Sequence, residues 1–221
     1  MSGVTVIIPV GPGHETRAEE ARNSCALAAK QNEFFTKIKC ITELDLKGEG
    51  RSKARNRAIR RATTDWLFFL DADDLCHLLT FINVVPYLKY DAIWSHIYEM
   101  KMDEPGFYER KDQITPITRI EDILLRDPFQ TIHTGHFVRK EICPLFDEDM
   151  DAGEDFKQFI ELWDQHNCIK IPEPLFINRR GEHSQGPRSA SGRDWRRSVE
   201  RQLREFSIEH FKRCEVPGIP V

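Results

Sequence analysis

What this sequence lacks narrows it first. Its 221 residues hold no stretch approaching the roughly 20 consecutive apolar residues that a membrane-spanning helix needs. The opening segment, Met-Ser-Gly followed by Val4–Val10, carries no basic residue ahead of its apolar run, so it does not read as a secretory leader. None of the cysteines (Cys25, Cys40, Cys76, Cys143, Cys168, Cys214) forms a CxxC pair, which argues against a zinc or disulfide framework and for reduced thiols in a cytoplasmic protein. Charge of one sign is scarce as well. With 32 Lys and Arg against 36 Asp and Glu the net charge is −4, a poor endowment for a general nucleic-acid binder, whose affinity comes from neutralised phosphates. Internal repeats are absent.

What is present is ordinary globular composition, 40% hydrophobic and 31% charged, at a length that suits one domain. Val4–Val10 is a β-branched apolar run closed by Gly11-Pro12-Gly13, the pattern of a buried strand ending in a loop. Residues 14–32 place Ala18, Ala21, Cys25 and Ala28 at helical spacing. A strand is expected at 35–42, with Lys37 and Lys39 marking it as an edge, and a helix over 53–63 with Ser52 as its N-cap. Trp66–Leu70 is a continuous apolar strand. Strand, helix, strand, helix, strand in this order predicts an open parallel α/β sheet.

Further along, helices are expected at 75–85 and 120–126, strands at 91–99 and 131–138, and turns at 103–118. Phe156, Phe159, Ile160 and Trp163 give residues 153–166 an amphipathic helical stripe. Residues 169–177 read as extended, 178–192 as a loop, and 193–212 as a closing helix with Trp195, Val199, Leu203 and Phe206 inward. The organisation expected is a main unit over 1–178, with the loop and C-terminal helix of 179–221 packed on the same domain.

The chemistry concentrates where the third strand ends. Ligands of open α/β sheets bind beyond the carboxyl ends of strands, and Trp66–Leu70 runs into Asp71-Ala72-Asp73-Asp74. Asp71 and Asp73 project the same way in an extended segment, and such paired hard oxygens suit Mg²⁺ or Mn²⁺ completed by substrate phosphates. Taken alone, the same residues also read as an acidic turn. The preceding helix is strongly basic: Lys53, Arg57, Arg60 and Arg61 share a solvated face, while Arg51 and Arg55 are placed to lie across from the carboxylates.

These stretches carry a resemblance. GRSKARNRAIRRATTDWLFFLDADD resembles the central signature of the GT-A glycosyltransferases of family 2, VTVIIPVGPGHE their opening strand and loop, PLFDEDMDAGEDFKQFIELW their "FDE…ED" segment, and INRRGEHSQG their late histidine segment. The resemblance implies a GT-A fold, an open mixed Rossmann-like sheet flanked by helices, here with a C-terminal helical extension. It implies metal-dependent, inverting transfer of a sugar from a nucleotide-diphospho-sugar, UDP-sugars first among them, to the hydroxyl of a glycan or other acceptor.

The same resemblance assigns places. Asp155, with Glu154 beside it, falls at the catalytic-base position; Pro9, Val10 and Glu15 at the nucleotide pocket; Arg51 and Arg55 near the donor phosphates; Asp71 at the donor's sugar or ribose. Asp73 falls at the metal, with Asp74 and His183 as further candidate ligands. Where relatives carry an Asp-Gly-Ser turn after the second strand, this chain reads Ile41–Lys47, leaving Glu43 or Asp45 to take that place. Physical expectation adds that Asp155, in a helix's first turn, has its pKa lowered by the dipole, and that acids there also simply complement a helix start. His133 and His136 are candidates for the acceptor pocket or for strand-end packing; Trp94 is a candidate stacking ring; Trp163 and Trp195 belong to the core. Over 179–213 basic residues outnumber acids, a solvated helix face or a contact for an anionic acceptor. Two other readings remain: a nucleotidyltransferase, though GPGHE lacks the lysine such loops carry, and a sugar-nucleotide or glycan-binding module without transferase activity.

Overall fold

The computed structural model describes residues 2–101, 106–111, 113–127, 131–180 and 192–213. Strand β1 (Gly3–Val10) is buried along its whole length because helices cover both its faces. Val4, Val6, Ile8 and Val10 point toward helix α1 (Glu15–Lys30), whose buried Ala18, Ala21, Cys25 and Ala28 let the helix sit close. Ile7 points the other way, toward Ala58 and Ile59 of helix α2 (Arg51–Arg61). This alternation is the period of two that a strand imposes.

β1 lies between β2 (Lys37–Leu44) and β3 (Trp66–Phe69), parallel to both. Antiparallel β8 (Phe137–Arg139) then separates β3 from β5 (Ala92–Ser95), and β9 (Cys168–Ile171) closes the sheet parallel to β5, for the order β2-β1-β3-β8-β5-β9. The sheet is therefore mixed, and β2 is its edge, as its two lysines suggest. A smaller sheet runs β4 (Leu75–Cys76), β10 (Phe176–Arg180), β6 (Tyr98–Lys101), β7 (Tyr108–Glu109). Helices α4 (Ile120–Leu124), α5 (Glu154–Gln165) and α6 (Gly192–Arg213) pack on the α2 face, where Phe156, Phe159, Ile160, Trp163 and Val199 join one apolar cluster.

Several elements differ from the expectation. The helix at 75–85 is reduced to α3 (Thr80–Asn83): Cys76 pairs with Phe176 and its N–H goes to Ser24 Oγ at 2.9 Å, and Pro86 lacks the N–H to prolong the helix. The strand at 91–99 breaks after Ser95, where Gln113 binds both backbone groups of Ile97 (2.6 and 2.9 Å), and the chain enters the second sheet. The strand at 131–138 shortens to β8, because Gly135 adopts φ +111° beneath the Phe176 ring. Helix α2 starts at Arg51 behind Gly50 (φ 106°), so Ser52 sits inside the first turn and is not the N-cap. Residues 178–180, expected to open a loop, are strand: β10 continues through Arg180 alongside β6; the rest of that expected loop, 181–191, lies outside the described residues.

Candidate active site

β1, β2 and β3 are parallel, so their carboxyl ends converge on one edge, where three connections meet. Leu70 still donates its N–H to Ile7 O (3.0 Å), and the chain then turns, with Asp74 N–H closing on Asp71 O at 3.0 Å. Across the edge, the loop between β2 and α2 is pinned by Asp45, whose carboxylate accepts the N–H groups of Glu49 (2.8 Å) and Gly50 (2.7 Å). Glu43 is committed too, to Arg57 at 2.8 Å and to Arg61. Both acids proposed for the missing turn thus have local structural partners.

The basic helix meets the acids as a network. Arg55, 2% exposed, donates from Nη2 to Asp71 Oδ1 at 2.7 Å and from Nη1 to Glu154 Oε1 at 2.9 Å. Arg51 adds a forked pair to Glu154, Nε to Oε1 at 2.5 Å and Nη2 to Oε2 at 3.1 Å. The Phe146 ring lies 4.9 Å under the Arg55 guanidinium. Glu154, 1% exposed and bound by two guanidiniums, has both oxygens occupied; it anchors the start of α5 and is not placed as a free base. Arg55 likewise spends both terminal nitrogens on carboxylates rather than offering them to phosphate. Burial works against ionising Asp71, but the guanidinium of Arg55 outweighs it and holds the carboxyl below its usual range.

Asp73 and Asp74 differ sharply. Asp74 is 2% exposed, and its Oδ1 accepts Asn178 Nδ2 (3.0 Å) and the N–H of Arg179 (3.1 Å), so it faces β10 and the interior. Burial, then Asp73 and Asp71, raise its pKa. That environment does not suit the further metal ligand proposed for it. Asp73 is half-buried, and among the described residues no side chain donates to its carboxylate. Burial and then the neighbouring Asp71 push it up to about 6. Two adjacent carboxylates with only one compensated are what a divalent cation offsets, so Asp73 has the donor chemistry to hold one. No group of three or more His, Cys, Asp or Glu forms a complete cage among the described residues.

The rest of the rim is set by α1 and β10. Arg179, expected in a loop, is a 6% exposed strand residue: its Nε donates to Asp73 O and its Nη1 to Glu20 Oε2, clasping the acid turn to α1. Pro9 and Val10 are buried in β1, and Val10 O accepts the N–H of Asp45 at 2.8 Å. Glu15 is exposed at the first turn of α1, next to the Gly11–His14 loop. His133 stacks on Phe176 (5.6 Å, 21°); burial lowers its pKa, with Arg110 next. His136 is fully buried, sandwiched between Phe69 (5.1 Å) and Trp94 (4.8 Å), and burial pushes its pKa down to about 3, a neutral core imidazole. Trp94, stacked on it and 1% exposed, is core and not a sugar platform. His183 lies outside the described residues.

Asp155 begins α5 beside Glu154. Contrary to the dipole expectation, burial, and then Glu154, push its carboxyl up to about 6, against Arg51, Arg55 and a hydrogen bond from Trp195. A helix terminus is worth about 0.3–1 kcal/mol when exposed, less than the desolvation of this half-buried carboxylate. Trp195 Nε1 donates to Asp155 Oδ1 at 3.0 Å and Oδ2 at 3.3 Å. That contact and the Arg179 clasp escaped the sequence reading, which put Trp195 in the core and Arg179 in a loop.

The sequence profile of Glycosyl transferase family 2 matches residues 26–144, just over half the chain. The chain belongs to glycosyl transferase family 2. The matched segment holds Arg51, Arg55, Asp71, Asp73 and Asp74; Glu154 and Asp155 lie beyond it. No curated protein matches this family 2 chain in sequence. Among solved structures it is similar to Staphylococcus aureus TarS. Against TarS 1–349 in complex with UDP-GlcNAc the TM-score is 0.64 at 16% identity, covering 92% of this chain and 65% of that one. The complex of the same fragment with UDP gives 0.61 at 17% identity, covering 92% and 64%. A longer TarS structure gives 0.63 at 15% identity, and there this chain spans 39% of the partner's length. These likenesses establish the GT-A fold, a mixed sheet flanked by helices. No helix among the described residues is long and apolar enough to cross a membrane.

Proposed function

We propose that this chain transfers a sugar from a nucleotide-diphospho-sugar to an acceptor hydroxyl with inversion, using Asp155 as general base and Asp73 to hold Mn²⁺ or Mg²⁺. The observation that carries the reading is Arg55, which ties Asp71 of the acid turn to Glu154 of the base-bearing helix at 2.7 and 2.9 Å. Two elements far apart in sequence thereby share one edge of the sheet in fixed relation, the preorganisation that a bisubstrate reaction needs. Family membership favours glycosyl transfer over nucleotidyl transfer. The TarS structures hold UDP-GlcNAc and UDP, which makes UDP the first nucleotide to try here.

In the reaction proposed, the acceptor O–H gives its proton to Asp155, the oxygen attacks the anomeric carbon, and the carbon–oxygen bond to the β-phosphate breaks as nucleoside diphosphate leaves. A single carboxylate base and direct displacement give inversion. Asp73 would hold the cation, which when bound would supply charge compensation for a departing diphosphate. The Gly11–His14 loop and the first turn of α1 bound the nucleotide side, and buried Arg55 holds Asp71 ionised toward the donor.

The test is nucleotide release from UDP-, GDP-, dTDP- and CMP-sugars with and without Mn²⁺, alongside thermal shift with each. One donor class should stabilise the protein in Mn²⁺ and turn over slowly with water as acceptor. Stabilisation without turnover identifies a binding module, and a cation-independent response removes Asp73 from its assigned part.

A further inference from the structure

We infer that Trp195 is a positioning residue for Asp155: its indole N–H fixes the carboxylate in the orientation from which it receives the acceptor's proton. The inference rests on the base assignment above and adds a part for α6, which lies outside the matched family segment. The indole N–H reaches both carboxylate oxygens, at 3.0 and 3.3 Å, and Oδ1 also accepts the N–H of Phe156 at 2.8 Å. Indole has a donor and no acceptor. It therefore favours the ionised carboxylate, the form a base must have before it takes a proton.

The helix carrying Trp195 is held in place independently of that bond. Gly153, which precedes α5, has φ +78°, and a Cβ there would stand 2.7 Å from Gln202 Nε2 and 2.8 Å from Ser198 Oγ. Gln202 Nε2 also donates to Gly153 O at 3.0 Å. Val199 is fully buried in the cluster containing Phe156, and the Trp195 ring meets Phe156 edge-on at 6.5 Å and 79°. Residues 195, 198, 199 and 202 follow the i, i+3, i+4, i+7 rule. One face of α6 thus seats on the first turn of α5. Among the described residues, the charged groups that act most on Asp155 are Glu154 from its own helix and Arg51 and Arg55 from α2.

Trp195→Phe keeps the ring and removes the donor. With the donor sugar identified by the nucleotide-release screen, kcat should fall about 10- to 100-fold, the cost of losing a hydrogen bond to a charged group. KM for the donor should stay unchanged, and the acid limb of the pH–kcat profile should move to higher pH than in the wild type. A packing role alone would lower thermal stability and leave that limb in place. A second measurement needs neither turnover nor the Trp195 variant: the indole emission of the wild type should change as pH carries Asp155 through its titration, and Asp155→Asn should lack that transition. Identical pH–emission curves for wild type and Asp155→Asn would overturn the contact. Wild-type kcat and pH limb in Trp195→Phe, with Asp155→Asn inactive, would overturn the positioning part and leave the base assignment standing. Full activity in Asp155→Asn would instead remove the base assignment.

Discussion

Arg55 donates to Asp71 Oδ1 at 2.7 Å from a position 2% exposed to solvent. Neither a surface salt bridge nor a free phosphate ligand has that burial. The cation is a permanent strut, and its other terminal nitrogen is on Glu154. Removing one member of a buried pair strands the other, at a cost of about 3–5 kcal/mol. Arg55→Ala should therefore lose stability of that order in urea denaturation with an unchanged m-value. Arg55→Lys should recover only part of it, since an ammonium cannot serve both carboxylates as a fork does.

Glu154 and Asp155 are neighbours with opposite electrostatics, and they should respond oppositely to neutralisation. Glu154 has two guanidiniums, so Glu154→Gln uncouples Arg51 and Arg55 and should lower Tm. The carboxyl of Asp155 is raised from 3.8 to about 6, chiefly by burial. A group raised in the folded state stabilises fully below its unfolded pKa and loses that contribution as pH rises through the folded value. Above pH 6 the ionised Asp155 is a net liability to folding, so Asp155→Asn at pH 7.5 should match or exceed the wild-type Tm while abolishing transfer. A large drop in Tm for Asp155→Asn would contradict this electrostatic assignment.

The pH profile follows from the same residue. As a general base Asp155 must be ionised, so kcat/KM should rise tenfold per pH unit below about 6 and level off above it. A limb near the unperturbed 3.8 would mean that the carboxylate is fully solvated in solution, contrary to its half-buried place beside Trp195.

The sheet and the acid turn were legible because both are local. Apolar strands that run straight into Asp71-Ala72-Asp73-Asp74, and alanines at helical spacing in α1, announce themselves within a few residues. The division of labour among charges was not. Arg55 and Glu154 are 99 residues apart, Arg179 and Asp73 are 106, and Trp195 and Asp155 are 40. Spacing within a segment says nothing of such pairings, so the sequence offers Arg55 to phosphate and Arg179 to a loop. The Asp155 expectation failed for a related reason: the dipole of α5 is visible in sequence, whereas the burial that outweighs it arises only from tertiary packing. Conversely, the antiparallel β8 between β3 and β5 breaks the parallel pattern of the first half without a local signal.

Asp73 carries the cation prediction. Its carboxylate has no side-chain donor among the described residues, whereas Asp74 has two hydrogen bonds on one oxygen. Asp73→Asn should therefore abolish the Mn²⁺ dependence of UDP binding in calorimetry without loss of stability. Asp74→Ala should remove the acceptor of Asn178 and of the Arg179 N–H and lower Tm, leaving Mn²⁺-dependent heat in the surviving folded protein. Equal loss of that heat in both variants at matched folded fraction would put Asp74 in the cation's shell after all.

Gly135 makes a steric prediction beside the same edge. It has φ +111°, and an added Cβ would lie 2.2 Å from the Phe176 ring, inside the range where something must move. Phe176 is 1% exposed, pairs with Cys76 and packs against His133, so it has little room to retreat. Left-handed strain of about 1–2 kcal/mol adds to overpacking of about 1–3 kcal/mol. Gly135→Ala should then destabilise by about 2–5 kcal/mol in denaturant titration, and Phe176→Leu should relieve the overpacking share but not the backbone share. A double variant as stable as Phe176→Leu alone would show that Gly135 matters only for the room it leaves the ring, and that its backbone relaxes freely.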